Sequence, residues 1–234
     1  MFAALILVGG TSFAVSYVLM IRRGFLDRTY GVPLVALCAF MVWDVRNALG
    51  VYRPWIPMLG AVSGLYVVGH GVIFYQLLRY GPREFSRLSR PTFYCMVAAT
   101  VGFAFFAVQA LDRSLHDTWG IQTSQGTWLA AMVCYPMLCY QRGSLRGLSV
   151  PIAALQLVTS IVASVAFLRY LPKDSGVKGS ALLTFICLGM SAANLIYLGA
   201  VVRLSTGARH AAHAADTVPG QVGEAAPAPG DHPA

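Results

Sequence analysis

Residues 30–50, YGVPLVALCAFMVWDVRNALG, are apolar enough to lie in a bilayer except for the short run Asp44-Val45-Arg46-Asn47. The stretch begins with a turn-and-proline start (Gly31, Pro33) and ends at Gly50. Proline at the start of a helix removes no needed hydrogen bond. A segment of about 20 predominantly apolar residues is what a helix needs to cross the hydrocarbon core of a membrane. A carboxyl at such depth costs several kcal/mol unless it is paired or wetted, and such groups mark function far more often than loop carboxylates do. The reading of this stretch decides the fold class.

Six further runs of the same kind flank it. The seven expected spans are 2–21, 30–50, 56–79, 92–111, 125–141, 148–170 and 180–203. The chain of 234 residues is 57% hydrophobic and 11% charged, too little charge to coat a soluble domain of this size. An all-α bundle of seven transmembrane helices over residues 1–204 follows, with 205–234 as a disordered cytoplasmic tail rich in Ala, Pro and Gly. Prolines recur near span starts (Pro33, Pro57, Pro91, Pro151), and Pro136 is expected to bend the fifth span. The first run has no basic stretch before it and is followed by Arg22 and Arg23, so it reads as a helix that stays in the membrane.

The net charge of +8 comes from Arg in the short connections and does not point to nucleic acid. Eleven basic residues follow spans one, three, five and seven, against six on the other side. The positive-inside rule then places the N-terminus outside and the C-terminus in the cytoplasm. The Arg-over-Lys usage, with abundant Ala and Gly, points to a GC-rich genome and a bacterial cytoplasmic membrane. Five cysteines lie in apolar segments without a CxxC pair, which argues against a disulfide framework or a zinc site.

An offset of 118 residues superimposes Val32-Pro33-Leu34 on Val150-Pro151-Ile152, Tyr17 on Tyr135, Arg28 on Arg146, Gly71 on Gly189 and Gln76 on Asn194. Two parallel three-helix repeats joined by the fourth helix would explain this. Some small transporters share that plan, and a proton-coupled transporter using Asp44 is the rival functional reading.

Of nine carboxylates, Asp44 alone sits well inside a span, about fourteen residues or ~21 Å of helix rise from the cytoplasmic end. Arg46 does not share its helix face and is expected to snorkel to the surface. An unpaired carboxyl in an apolar cavity is expected to hold its proton and to act as a Brønsted acid, or else to serve as a structural hydrogen bonder. His70 lies deep in the third span. Gln76, Gln109, Gln156 and Asn194 are interhelical hydrogen bonders by type. Tyr66 and Gln109 should lie near the level of Asp44, and Trp43, Trp128 and the cluster Phe103–Phe106 are candidates to line a pocket. The chain has no lysine in span seven for a retinal Schiff base, and no HExxH, GxSxG, Walker or Asp-rich motif. No cofactor or metal is expected.

Three stretches resemble one family. Arg28-Thr29-Tyr30-Gly31-Val32-Pro33-Leu34 leading to Trp43-Asp44 resembles the second helix of the integral-membrane terpene cyclases of the paxilline and pyripyropene type, where a Trp-acid pair closes the motif. Tyr80-Gly81-Pro82 resembles that family's YG turn, and Gln141-Arg142-Gly143-Ser144-Leu145-Arg146-Gly147-Leu148-Ser149 resembles its RGxxRGxS loop. The likeness covers about residues 1–204. It implies a cyclisation begun by protonation of a terminal alkene or epoxide on a prenylated substrate, with Asp44 as the acid and no metal. Trp43, Tyr66, Trp128 and other aromatics would stabilise the cation through their π faces. Gln109, Gln156 and Asn194 would hold the acid or the substrate's polar head. Two positions depart from the family: His70 stands where an acid is common in helix three, and Asn194, before Tyr197, where an acid is usual in helix seven. The resemblance then implies that His70 takes the terminal proton, or that the substrate is a plain alkene. Bacterial members of the drimentine type act on farnesylated indole diketopiperazines, the expected substrate class here. An upstream prenyltransferase would supply such a substrate.

Overall fold

The computed structural model describes residues 2–54 and 58–216. Seven α-helices account for most of them: α1 (Phe2–Asp27), α2 (Leu34–Ala48), α3 (Leu59–Glu84), α4 (Arg90–Leu115), α5 (Ile121–Arg142), α6 (Val150–Tyr170) and α7 (Ala181–Asp216). Among the described residues there is no strand. Pro33 is the N-cap of α2, while Ser89 and Ser149 cap α4 and α6 just ahead of Pro91 and Pro151. Pro57, expected at the start of the third span, lies outside the described residues. So does the segment 217–234; α7 itself runs to Asp216, past the boundary at 204 expected from sequence.

Five helices (all but α2 and α5) are long and apolar enough to cross a membrane. α2 has 15 residues, or ~22 Å of rise, shorter than the 30–50 span expected. α5 carries Gln122, Thr123, Ser124, Gln125 and Thr127 in its first two turns. Both are shielded by protein: α2 packs against α3, α4 and α5, and α5 against α2, α4 and α7. Apolar residues such as Val35, Val133 and Met137 remain exposed, while Gln122, Thr123, Gln125 and Thr127 are buried, and a helix whose polar face is covered by neighbours can be short or polar.

The packing order closes a ring, α1–α3–α2–α5–α7–α6 and back to α1, with α4 outside it against α2, α3 and α5. Exchanging α1, α2, α3 for α5, α6, α7 reproduces every contact in that ring. The contact α1–α6 maps to α5–α2, α1–α3 to α5–α7, and α2–α3 to α6–α7. The faint 118-residue echo therefore has a three-dimensional counterpart in two halves of one plan.

The three motif stretches meet at the Arg-rich end of this ring. Arg142, at the end of α5, gives Nε and Nη2 to Glu84 Oε2 at 3.0 and 2.8 Å and lies 4.6 Å above the ring of Tyr30. The Thr29 hydroxyl donates to the other oxygen of Glu84. Asp27 accepts from Arg23 at 2.7 Å and from the backbone N–H of Gly147 at 2.8 Å, and Arg146 donates to the carbonyl of Asp27 at 3.1 Å. Gly147 has φ +75, and a Cβ there would lie 2.8 Å from Thr29 Cγ2 and 3.0 Å from the carbonyl oxygen of Tyr30. Only glycine lets the two loops touch this closely. This network locks the α1–α2 and α5–α6 loops to the end of α3.

Candidate functional site

At the opposite end the ring is hollow. About 950 Å³ of atom-free space, including an open mouth, lies between α1, α2, α3, α5 and α6. Asp44 reaches it from α2, about ten residues or ~15 Å above the start of that helix. The carboxyl is buried from everything but this cavity. Arg46 turns away, as its helix position requires, and gives Nη2 to Asp112 at 2.6 Å.

Two side chains attend the acid. Ser63, on α3, accepts from Asn47 Nδ2 at 2.9 Å and lines the cavity with Asp44. Its hydroxyl hydrogen is free to turn into the cavity. His70 Nδ1 is 3.6 Å from Asp44 Oδ2, too far for a hydrogen bond, and 2.6 Å from the carbonyl oxygen of Tyr66. A carbonyl only accepts, so Nδ1 carries the hydrogen. In the neutral ring Nε2 then accepts from the Tyr17 hydroxyl at 2.8 Å. The nitrogen able to take a proton faces Tyr17, and the ring presents an N–H edge to the acid.

Aromatic rings surround the acid's side of the cavity. Phe13 is 4.7 Å from Tyr17, 5.0 Å from Tyr66 and 5.3 Å from Trp128, and Phe40 is 5.9 Å from His70. Trp43 also lines the space, its Nε1 tied to the Gly120 carbonyl at 3.0 Å. Gln125 and Trp128, one turn apart on α5, line it too, and Gln125 Oε1 and Trp128 Nε1 are buried without a partner in the protein. Between α1 and α3 the wall is thin. Gly10 and Val62 line the cavity and are also exposed, and the Tyr66 hydroxyl, 3.3 Å from the Gly10 carbonyl, bridges the two helices at this level.

The sequence candidates divide accordingly. Trp43, Asp44, Tyr66, His70 and Trp128 come together around the cavity. Gln109 does not line it, because α4 packs outside the ring. Gln156, Asn194 and Tyr197 fill the ring nearer the Arg-rich end, beside Met20 and Tyr135. Gln156 donates to Met20 Sδ at 3.7 Å, Asn194 to the Met190 carbonyl at 3.1 Å, and Tyr197 packs 4.9 Å from the Tyr135 ring. Phe13, Tyr17, Phe40, Asn47, Ser63 and Gln125 went unmarked in the sequence. Tyr17 alone carried a signal, through its match with Tyr135 in the repeat.

At the mouth of α2 a second ring backs the first. Tyr52 stacks on Trp43 with centroids 5.9 Å apart and an interplanar angle of 23°. Its hydroxyl donates to Asp112 Oδ2 at 2.6 Å and receives Arg46 Nε at 3.1 Å. Burial, then the bond to Asp112, pushes the Tyr52 phenol up from its ordinary value, so it remains a donor. Asp117 accepts from the N–H groups of Ile121 and Thr123 at 3.1 and 2.7 Å, fixing the start of α5.

The cavity thus sets one carboxyl, Asp44, among aromatic rings. The profile of the Pyr4-like transmembrane terpene cyclases matches residues 1–205. The chain belongs to this family. Among its relatives, terpene cyclase penB of Penicillium crustosum is 29% identical over 150 residues, 60% of this chain and 58% of that protein. Terpene cyclase macJ of Penicillium terrestre is 24% identical over 208 residues, 83% of this chain and 78% of its own. Terpene cyclase pyr4 of Aspergillus fumigatus is 23% identical over 166 residues, covering 68% and 67%. The chain thus spans less than two thirds of the length of penB. These relatives are fungal and lend no support to the bacterial source expected from Arg usage. No solved structure matches the chain.

Proposed function

We propose that this multi-pass membrane protein is a terpene cyclase that starts the reaction by proton transfer from Asp44. The terminal alkene or epoxide of a farnesylated substrate takes the proton, and the cation passes along the polyene and closes rings. Loss of a proton ends the sequence. The observation that carries this reading is the single carboxyl opening into an aromatic cavity in a chain of this family. A Brønsted acid held in a low-dielectric pocket transfers its proton only to a well-placed partner. Once the proton has left, the Ser63 hydroxyl and the His70 N–H edge face the carboxylate. Phe13, Trp43, Tyr66 and Trp128 offer π faces to the migrating charge.

The reading calls for no metal, because the proton comes from Asp44 itself. An indole-diketopiperazine head is supported by Gln125 and Trp128. A secondary amide offers its N–H to the Gln125 oxygen and its carbonyl to the Trp128 N–H, satisfying two buried groups that are costly to leave unpaired. Access from the bilayer would be lateral, through the thin α1–α3 seam. The charge bias of the loops supports an Arg-rich end in the cytoplasm and a cavity in the outer half of the membrane. Substrate supply by a prenyltransferase belongs to the same proposal. The 3+1+3 plan is shared with small transporters, but the family match favours cyclisation.

Membranes containing the wild type or Asp44→Asn, given a farnesylated indole diketopiperazine, test this directly. The wild type is expected to return an isomer of unchanged mass with new rings, and Asp44→Asn to lose roughly 10²–10⁴ in rate. Full turnover by Asp44→Asn would remove it as the acid.

A further inference from the structure

Two stacked aromatic rings separate the cavity from a polar depression beside it. Trp43 lines the cavity, and Tyr52 lines the depression together with Arg46, Asp112, Arg113, His116, Asp117 and Thr118. Neither ring borders the other's space, so the stacked pair is the partition. Both rings are held. Trp43 is tied to the Gly120 carbonyl, and Tyr52, only 4% exposed, is tied to Asp112. Arg46 bonds both Tyr52 and Asp112, and its guanidinium lies 5.3 Å from the Tyr52 ring centroid. Gly120 has φ +66, and a Cβ there would lie 2.8 Å from the Tyr52 ring, so the ring seats against bare backbone. Such a clamp is more than packing needs, since a leucine in place of Tyr52 would fill the volume without fixing it.

The chemistry proposed above makes this partition consequential. A carbocation within reach of water is captured rapidly, and excluding water is one of the services a closed active site provides. We infer that the Trp43–Tyr52 stack, clamped by Arg46 and Asp112, is a water barrier that decides how the cyclisation ends. This rests on the cyclase reading. Behind an intact barrier, the cation loses a proton from the neighbouring carbon, whose C–H pair becomes the new C=C bond. With the barrier breached, a water oxygen bonds to the cationic carbon and the surplus proton of that water passes to solvent. The product is then an alcohol heavier than the alkene by one water. Tyr52, Arg46 and Asp112 touch neither substrate nor acid and act by holding Trp43 and closing the space behind it.

The test compares wild type, Tyr52→Ala, Tyr52→Leu, Tyr52→Phe and Asp112→Asn in membranes. Each is supplied with the farnesylated indole diketopiperazine in water enriched in heavy oxygen, and products are resolved by mass. Tyr52→Ala is expected to raise the share of labelled alcohol over cyclised alkene by roughly tenfold or more, a shift in the competing barriers of about 1.4 kcal/mol. Asp112→Asn and Tyr52→Leu, which keep most of the buried volume, are expected to raise it by less. Tyr52→Phe, which keeps the stack, is expected to stay nearest the wild type. An unchanged alcohol share in Tyr52→Ala, or in Tyr52→Leu and Asp112→Asn where the alanine variant does not accumulate, overturns the barrier while cyclisation persists. No cyclised product from the wild type overturns the cyclase reading, and the barrier with it.

Discussion

Gly143 and Gly147 sit four residues apart in one loop, both with left-handed backbone, φ +56 and +75. An added Cβ at Gly143 meets nothing within 4 Å, whereas at Gly147 it meets Thr29 at 2.8 Å and the backbone of Tyr30 at 3.0 Å. Alanine at either site incurs the left-handed cost of about 1–2 kcal/mol. Only Gly147→Ala adds overpacking against backbone, of order 1–3 kcal/mol. Gly143→Ala is therefore expected to lose about 1 kcal/mol and Gly147→Ala about 3 kcal/mol. The difference of about 2 kcal/mol amounts to ~4–8 °C in unfolding midpoint for a chain of this length. The midpoint is measurable in detergent as the temperature at which the buried thiols of Cys38, Cys139 and Cys187 become reactive, after the exposed Cys95 and the half-buried Cys134 have been blocked. Equal midpoints for the two variants would refute the claim that the α1–α2 and α5–α6 loops are locked through Gly147.

Two further outcomes are expected. Glu84→Gln leaves Arg142, 9% exposed, without its charge partner, a loss of about 3–5 kcal/mol for a buried pair; adding Arg142→Met should recover more than half of it, and strictly additive losses in the same thiol assay would contradict the pairing. Tyr17→Phe removes the donor to His70 Nε2 and frees the imidazole to turn, so kcat is expected to fall with KM little changed. A kcat equal to the wild type's would detach the Tyr17–His70 pair from the acid.

The helix count was legible because lipid enforces long apolar runs. The length of α2 was not, since a helix covered by α3, α4 and α5 is free of that rule and ends at Ala48. Asp44 stood out because a carboxyl among apolar residues is costly wherever it faces. Gln109 lies on α4 outside the ring, and Gln156, Asn194 and Tyr197 lie inside it below the cavity, because polarity alone reveals neither which helix joins the ring nor at what depth the ring is hollow. Phe13 and Phe40 are indistinguishable in sequence from packing residues. Tyr17 and Ser63 matter through partners 53 and 16 residues away, His70 and Asn47, and no local pattern encodes such a pairing. The family motifs, read as one block with the acid, turn out to lie mostly at the far end, where they fasten loops.

The paired contacts of the two halves also bear on how this chain came to hold one acid. At the 118-residue offset, Asp44 corresponds to Val162 and His70 to Leu188, and Val162 packs against Gly9 at the cavity wall. Thr159, Ala163 and Phe167, the second half's α6 residues at the cavity, bring no carboxyl to it, and Asp44 of the first half stands alone there. The two halves share a plan of contacts but not a set of side chains: one brings the carboxyl to the chamber, and the other brings walls.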